Sequence, residues 1–198
     1  MATYSRMRLN DLLVLLQEQV STAELRTLLA DPNALHARLA QLEGACVGNS
    51  DARLAIWFSR LRAGEYEITS EIDFRYNCIA WSAGDLSHFW WPSWHYWPRG
   101  ILEEVSERAF TELYVSLGYE PCQDAKGERG FEKIAVFAKD SVPTHAARQL
   151  SNGQWSSKLG RWEDISHRLE ALTGDGQNEY GEVVAFFRRP NPNFVAHD

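Results

Sequence analysis

Positive charge is scarce in this chain. Lys+Arg number 20 against 27 Asp+Glu, a net charge of -7, and no run of Lys or Arg occurs anywhere. A nucleic-acid surface needs a basic stripe to meet phosphates, so DNA and RNA are excluded as expected partners. Long apolar runs are also missing. Leu12-Leu13-Val14-Leu15-Leu16 is the only early one; it follows Asp11, leads into Gln17 and Glu18, and is too short to span a bilayer. With no small-residue cleavage site after it, neither a membrane anchor nor export is expected. Cysteine is sparse too: Cys46, Cys78 and Cys122 form no C-x-x-C pair and no even framework. Free thiols suit a reducing compartment, so a cytoplasmic protein is expected. Without clustered ligands no zinc site is expected, and without a glycine-rich phosphate loop no nucleotide chemistry.

What is present is an ordinary globular composition, 44% apolar and 24% charged over 198 residues, enough to bury a core. Eight tryptophans stand out, four of them in Trp90-Trp91-Pro92-Ser93-Trp94-His95-Tyr96-Trp97. This segment reads either as a hydrophobic cluster or as the wall of a cleft, because indole and phenol rings offer flat apolar faces with a polar edge. On the second reading Trp81, Trp94 and Trp97 bind substrate, with Trp90 or Trp91 structural.

Residues from about 9 to 63 carry apolar positions at helical spacing. Ser21 with Glu24 has capping-box spacing, Asp31-Pro32 starts a second helix, and Ser50 to Arg62 a third. From Ile72 the pattern changes. A short segment from Cys78 to Ala83 closes at Gly84, and a helix is expected over Leu102 to Leu117. Strands are expected near Lys133–Ala138, Thr144–Leu150, Gln154–Leu159 and Gly181–Arg188, with a hairpin at Ser151-Asn152-Gly153. Asp164 to Leu172 reads as a helix. The expected division is a helical extension over 1–66 and an α+β domain over 67–198.

Asn77 is a good N-cap, which puts Cys78 on the first turn of a helix, where unpaired N–H groups and the dipole favour thiolate. The competing reading of Cys78 is a buried structural thiol. A nucleophilic thiol needs a base, and His145 opens a strand among small residues in Thr144-His145-Ala146-Ala147.

In that order, Cys on a helix start and then His on a strand, the chain resembles the NlpC-type papain-like cysteine peptidases and amidases. It resembles more closely a bacterial family marked by Asn77-Cys78-Ile79-Ala80-Trp81, Thr144-His145-Ala146-Ala147-Arg148-Gln149-Leu150 and Trp155-Ser156-Ser157-Lys158-Leu159-Gly160. Further marks are Asp164-Ile165 with His167, Tyr180-Gly181 and Arg188-Arg189. The resemblance implies a papain-like core, a Cys-bearing helix on an antiparallel sheet, with Cys78 as nucleophile and His145 as general base. The third position, about a dozen residues after the histidine, falls at Ser157, where NlpC-type enzymes usually carry His, Asn or Gln. A three-residue loop pairing Leu150 with Gln154 puts Ser157 on the face of His145; a two-residue turn puts Lys158 there instead. His167 is the reserve. The Cys78 N–H, with Tyr76 or Asn77, would form the oxyanion hole.

The expected activity is hydrolysis or acyl transfer at an amide or thioester, without cofactor, on a peptide, protein or other amide substrate. The competing readings are a non-catalytic module that binds a protein partner on the same fold, and a peptidoglycan peptide hydrolase delivered by specialised secretion.

Overall fold

The computed structural model describes residues 13, 16–17, 20–48, 50–176 and 178–194. Of the run Leu12–Leu16 only Leu13 and Leu16 fall among these, and the side chain of Cys46 lies outside them. The chain forms two compact units, Met1–Leu54 and Ala55–Asp198.

In the first unit, helices α1 (Thr22–Ala30) and α2 (Pro32–Gly48) pair. Ser21 Oγ accepts the Glu24 N–H, and Asp31 Oδ1 accepts the N–H groups of Asn33 and Ala34, so both starts are capped as the sequence predicts. Leu16, Leu39 and Leu42 are buried between them. Helix α3 runs from Ser50 to Trp57 and ends five residues short of the expected Arg62.

The second unit is α+β. Seven strands form one antiparallel sheet in the order β1-β6-β5-β4-β3-β7-β2. They are β1 (Tyr66–Ile68), β2 (Glu120–Cys122), β3 (Phe131–Lys139), β4 (Val142–Gln149), β5 (Trp155–Lys158), β6 (Asp164–His167) and β7 (Glu182–Pro190). Helices α4 (Cys78–Ala83) and α5 (Glu107–Ser116) contribute Ile79, Ala80, Phe110 and Leu113 to a core shared with Ile134, Val136, Ala146 and Phe187 of the sheet. These sheet residues lie at alternate positions, so the two helices cover a single face.

Two expectations change. The helix over Leu102–Leu117 starts only at Glu107, because Ser106 Oγ accepts the Ala109 N–H and sets the cap there. The helix expected over Asp164–Leu172 is instead strand β6 followed by a 3-10 turn, Leu169–Leu172. Pairing with β5 and β1 on both edges satisfies the β6 backbone and overrides the local helical pattern.

Candidate active site

Helix α4 is one and a half turns long, and its start is held from both sides. Asn77 Oδ1 accepts the Ala80 N–H as N-cap and also the Trp90 N–H, while Asn77 Nδ2 donates to the Trp90 carbonyl. Gly84 closes the helix in the left-handed region at φ 86°. The result is that Cys78 occupies the first helical position and is pressed onto the sheet. Cys78 packs against Ala146 of β4, and the backbone N–H groups of Ala146, Ile79 and Cys78 itself favour its thiolate. Burial pushes the thiol up to about 11, against the pull of those N–H groups and of the Lys158 charge.

The hairpin between β4 and β5 has the three-residue loop. Leu150 N–H donates to the Gln154 carbonyl, and Gly153 N–H to the Leu150 carbonyl. Backbone pairing follows at Gln149↔Trp155 and Arg148↔Ser156. Beyond it a side-chain bridge continues the link, with Ser157 Oγ 2.8 Å from His145 Nε2 and 2.8 Å from His167 Nε2. All three residues are buried, and the Tyr180 ring stacks on the His145 ring at 3.9 Å with an 8° angle between planes.

The direction of these hydrogen bonds follows from one fixed end. His167 Nδ1 lies 2.7 Å from the Arg168 carbonyl, which can only accept, so Nδ1 carries the proton. Burial holds His167 down at about 4, so the ring is neutral and its Nε2 is an acceptor. Ser157 therefore donates to His167 and accepts from His145 Nε2–H. That leaves His145 Nδ1 as a bare lone pair, buried and without a hydrogen-bond partner. Burial, then the neighbouring His167, keeps His145 well below its usual range, so it rests as a neutral base.

Alternation along β4 turns Ala146 toward α4 and His145 toward Phe137 on the other face. Cys78 and His145 thus stand on opposite faces of β4, with Ala146, the residue that follows His145, in the same core cluster as Cys78. A direct thiol–imidazole hydrogen bond, which the sequence predicts, is not formed.

Other expectations fare differently. Tyr76 donates its hydroxyl to Asp164 Oδ2 at 2.8 Å, and the Asn77 amide donates an N–H to the Trp90 carbonyl. Trp97 is half-buried against the core, packed on Phe110, and donates its indole N–H to the Leu102 carbonyl. Trp81 is half-buried beside the site, its ring 6.2 Å from Tyr76 and under the Arg148 guanidinium. Trp94 is 80% exposed at the loop tip, whereas Trp90 is buried with its N–H on Asp85.

Residues 67–188 match the family described as a domain of unknown function, DUF7689. The chain belongs to that family. No curated protein and no solved structure matches it. The DUF7689 region spans every residue of the site, from Tyr76 to Tyr180.

One pair escaped the sequence reading. Lys158 lies opposite Asp164 in the β5–β6 register, both are buried, and the Lys158 ammonium stands 4.8 Å from the centre of the Tyr76 ring. On a helix, Asp164 and His167 would share a face. On strand β6 they point to opposite sides, Asp164 to Lys158 and His167 to Ser157. Among the described residues no group of three or more His, Cys, Asp or Glu is placed to hold a metal, and no helix is long and apolar enough to cross a membrane.

Proposed function

We propose that this DUF7689 chain is a cysteine-dependent hydrolase or acyl-transfer enzyme with a papain-like, NlpC-type arrangement. Cys78 is the nucleophile, His145 Nδ1 the base, and Ser157 with His167 the pair that orients the base. One observation carries the reading: a thiol on a helix start that packs on Ala146 of β4, next in sequence to a histidine whose Nδ1 is a free lone pair. The two side chains stand on opposite faces of β4, so their pairing requires the sheet to rearrange at Ala146. The thiol would then lose its proton to Nδ1 as the sulfur adds to an amide or thioester carbonyl. The order of elements, a Cys-bearing helix followed by a sheet with His on one strand and its partner on the next, supports the NlpC-type comparison. Free thiols at Cys78 and Cys122 suit the cytoplasm.

A second reading, a non-catalytic module for a protein partner, is favoured by the burial of Cys78 to 4% exposure and of His145 to 0%. Alkylation separates the two. Limiting iodoacetamide near neutral pH, with the modified cysteine mapped by mass spectrometry, should label Cys78 ahead of Cys122, and His145→Ala should remove that preference. An inert Cys78 in the folded protein supports the module.

A further inference from the structure

We propose that Lys158 is a further catalytic residue of this site, the cation that holds the oxyanion formed when Cys78 adds to a carbonyl. The inference rests on the cysteine-enzyme reading and identifies its missing electrophilic partner. Three observations support it. The Lys158 Nζ is buried and makes no hydrogen bond. Left so, a desolvated ammonium forfeits its hydration, and a protein keeps one in that state where an anion is to be met. Lys158 also lies 4.8 Å from the ring centre of Tyr76, two residues before Cys78, and its charge favours the Cys78 thiolate. Finally, the side chains expected to supply the oxyanion donor are engaged elsewhere, Tyr76 on Asp164 and Asn77 on Trp90.

Burial pulls the Lys158 ammonium down to about 8, against the carboxylates of Asp164, Asp73 and Glu163, which favour its charge. The Tyr76 ring packs on it, and Asp164 stands opposite in the register with Oδ1 lacking a hydrogen-bond partner. In the reaction the Cys78 proton passes to His145 Nδ1 and the S–C bond forms. The carbonyl π pair moves onto oxygen, which Lys158 neutralises. Collapse restores the carbonyl as a thioester, and the departing amine takes the proton from His145. Water or a second nucleophile then releases the acyl group by the same steps.

The test compares iodoacetate with iodoacetamide on the whole chain, since the two reagents differ in charge and little in size. Iodoacetate sets a carboxylate one bond beyond the carbon that Cys78 attacks, within reach of a cation serving an oxyanion. The iodoacetate-to-iodoacetamide rate ratio at Cys78 should exceed that of free cysteine by about tenfold or more. It should fall to the free-cysteine value in Lys158→Met and be largely kept in Lys158→Arg. A wild-type ratio equal to that of free cysteine overturns the inference while leaving the nucleophile reading intact, and it decides the matter even where the Met variant does not fold. A ratio that stays high in folded Lys158→Met overturns it as well. Failure of both reagents at Cys78 overturns the nucleophile reading and this inference together.

Discussion

At the scale of single residues, Ser157 carries the most. Its hydroxyl both accepts from His145 and donates to His167, so it fixes which nitrogen of His145 holds the proton. Ser157→Ala removes both bonds, and each buried imidazole nitrogen then costs about 1–3 kcal/mol. The expected outcome is a lower melting temperature together with about a tenfold slower alkylation of Cys78, near 1.4 kcal/mol. A drop in melting temperature with alkylation unchanged would make Ser157 purely structural. The tryptophans divide in the same manner. Trp94→Ala, at 80% exposure, should shift stability by no more than about 0.5 kcal/mol, while Trp90→Ala should cost ~3–5 kcal/mol, as read from chemical denaturation. The chain itself shows which residue types assemble the site, Asn77, Cys78, His145 and Ser157 among them. Nothing in it reveals that Tyr76 and Asn77 are already engaged, because Asp164 is 88 residues from Tyr76 and reaches it only through the sheet.

At the scale of elements, two glycines with similar backbone angles should respond differently. Gly181 sits at φ 82°, and a Cβ added there would fall 1.9 Å from the Ala138 carbonyl oxygen, in backbone that cannot turn aside. Gly181→Ala should therefore destabilise by about 3 kcal/mol or more. Gly153, in the β4–β5 hairpin at φ 85°, has nothing within 4 Å of the same added atom. Only the cost of the left-handed conformation applies, so Gly153→Ala should lose about 1 kcal/mol. Equal losses in denaturant titrations would contradict the close approach at Gly181. The hairpin was legible locally, since Ser151-Asn152-Gly153 makes its own turn. Strand β6 was not, because its extended form comes from two neighbouring strands rather than from its own four residues.

At the scale of the whole molecule, the two neutral histidines set an acid limit. His167 is held at about 4 in the fold against 6.5 for an exposed ring, and burial is the leading cause. Both states are neutral above 6.5, so the fold is at full strength there. As pH falls from 6.5 toward 4 the unfolded chain binds the proton and the folded one does not, so stability is lost through that window. The loss from His167 alone is on the order of 3 kcal/mol, and His145 acts in the same direction. Denaturation midpoints measured from pH 7 to pH 4 should fall steadily, and His167→Gln should flatten the slope; a flat wild-type profile would show that the rings are not neutral and buried. What the sequence determined by itself was local or compositional: helix caps, the hairpin, the soft order of Cys, His and a polar third residue, and the exclusion of a basic surface. The tertiary structure decided what depends on partners distant in the chain. It set which side of each strand faces α4, it joined His167 to Ser157, and it left Lys158 buried opposite Asp164 with its ammonium making no hydrogen bond. Strand alternation is the physical reason, since a residue's face is decided by the register of its neighbours and not by its own chemistry.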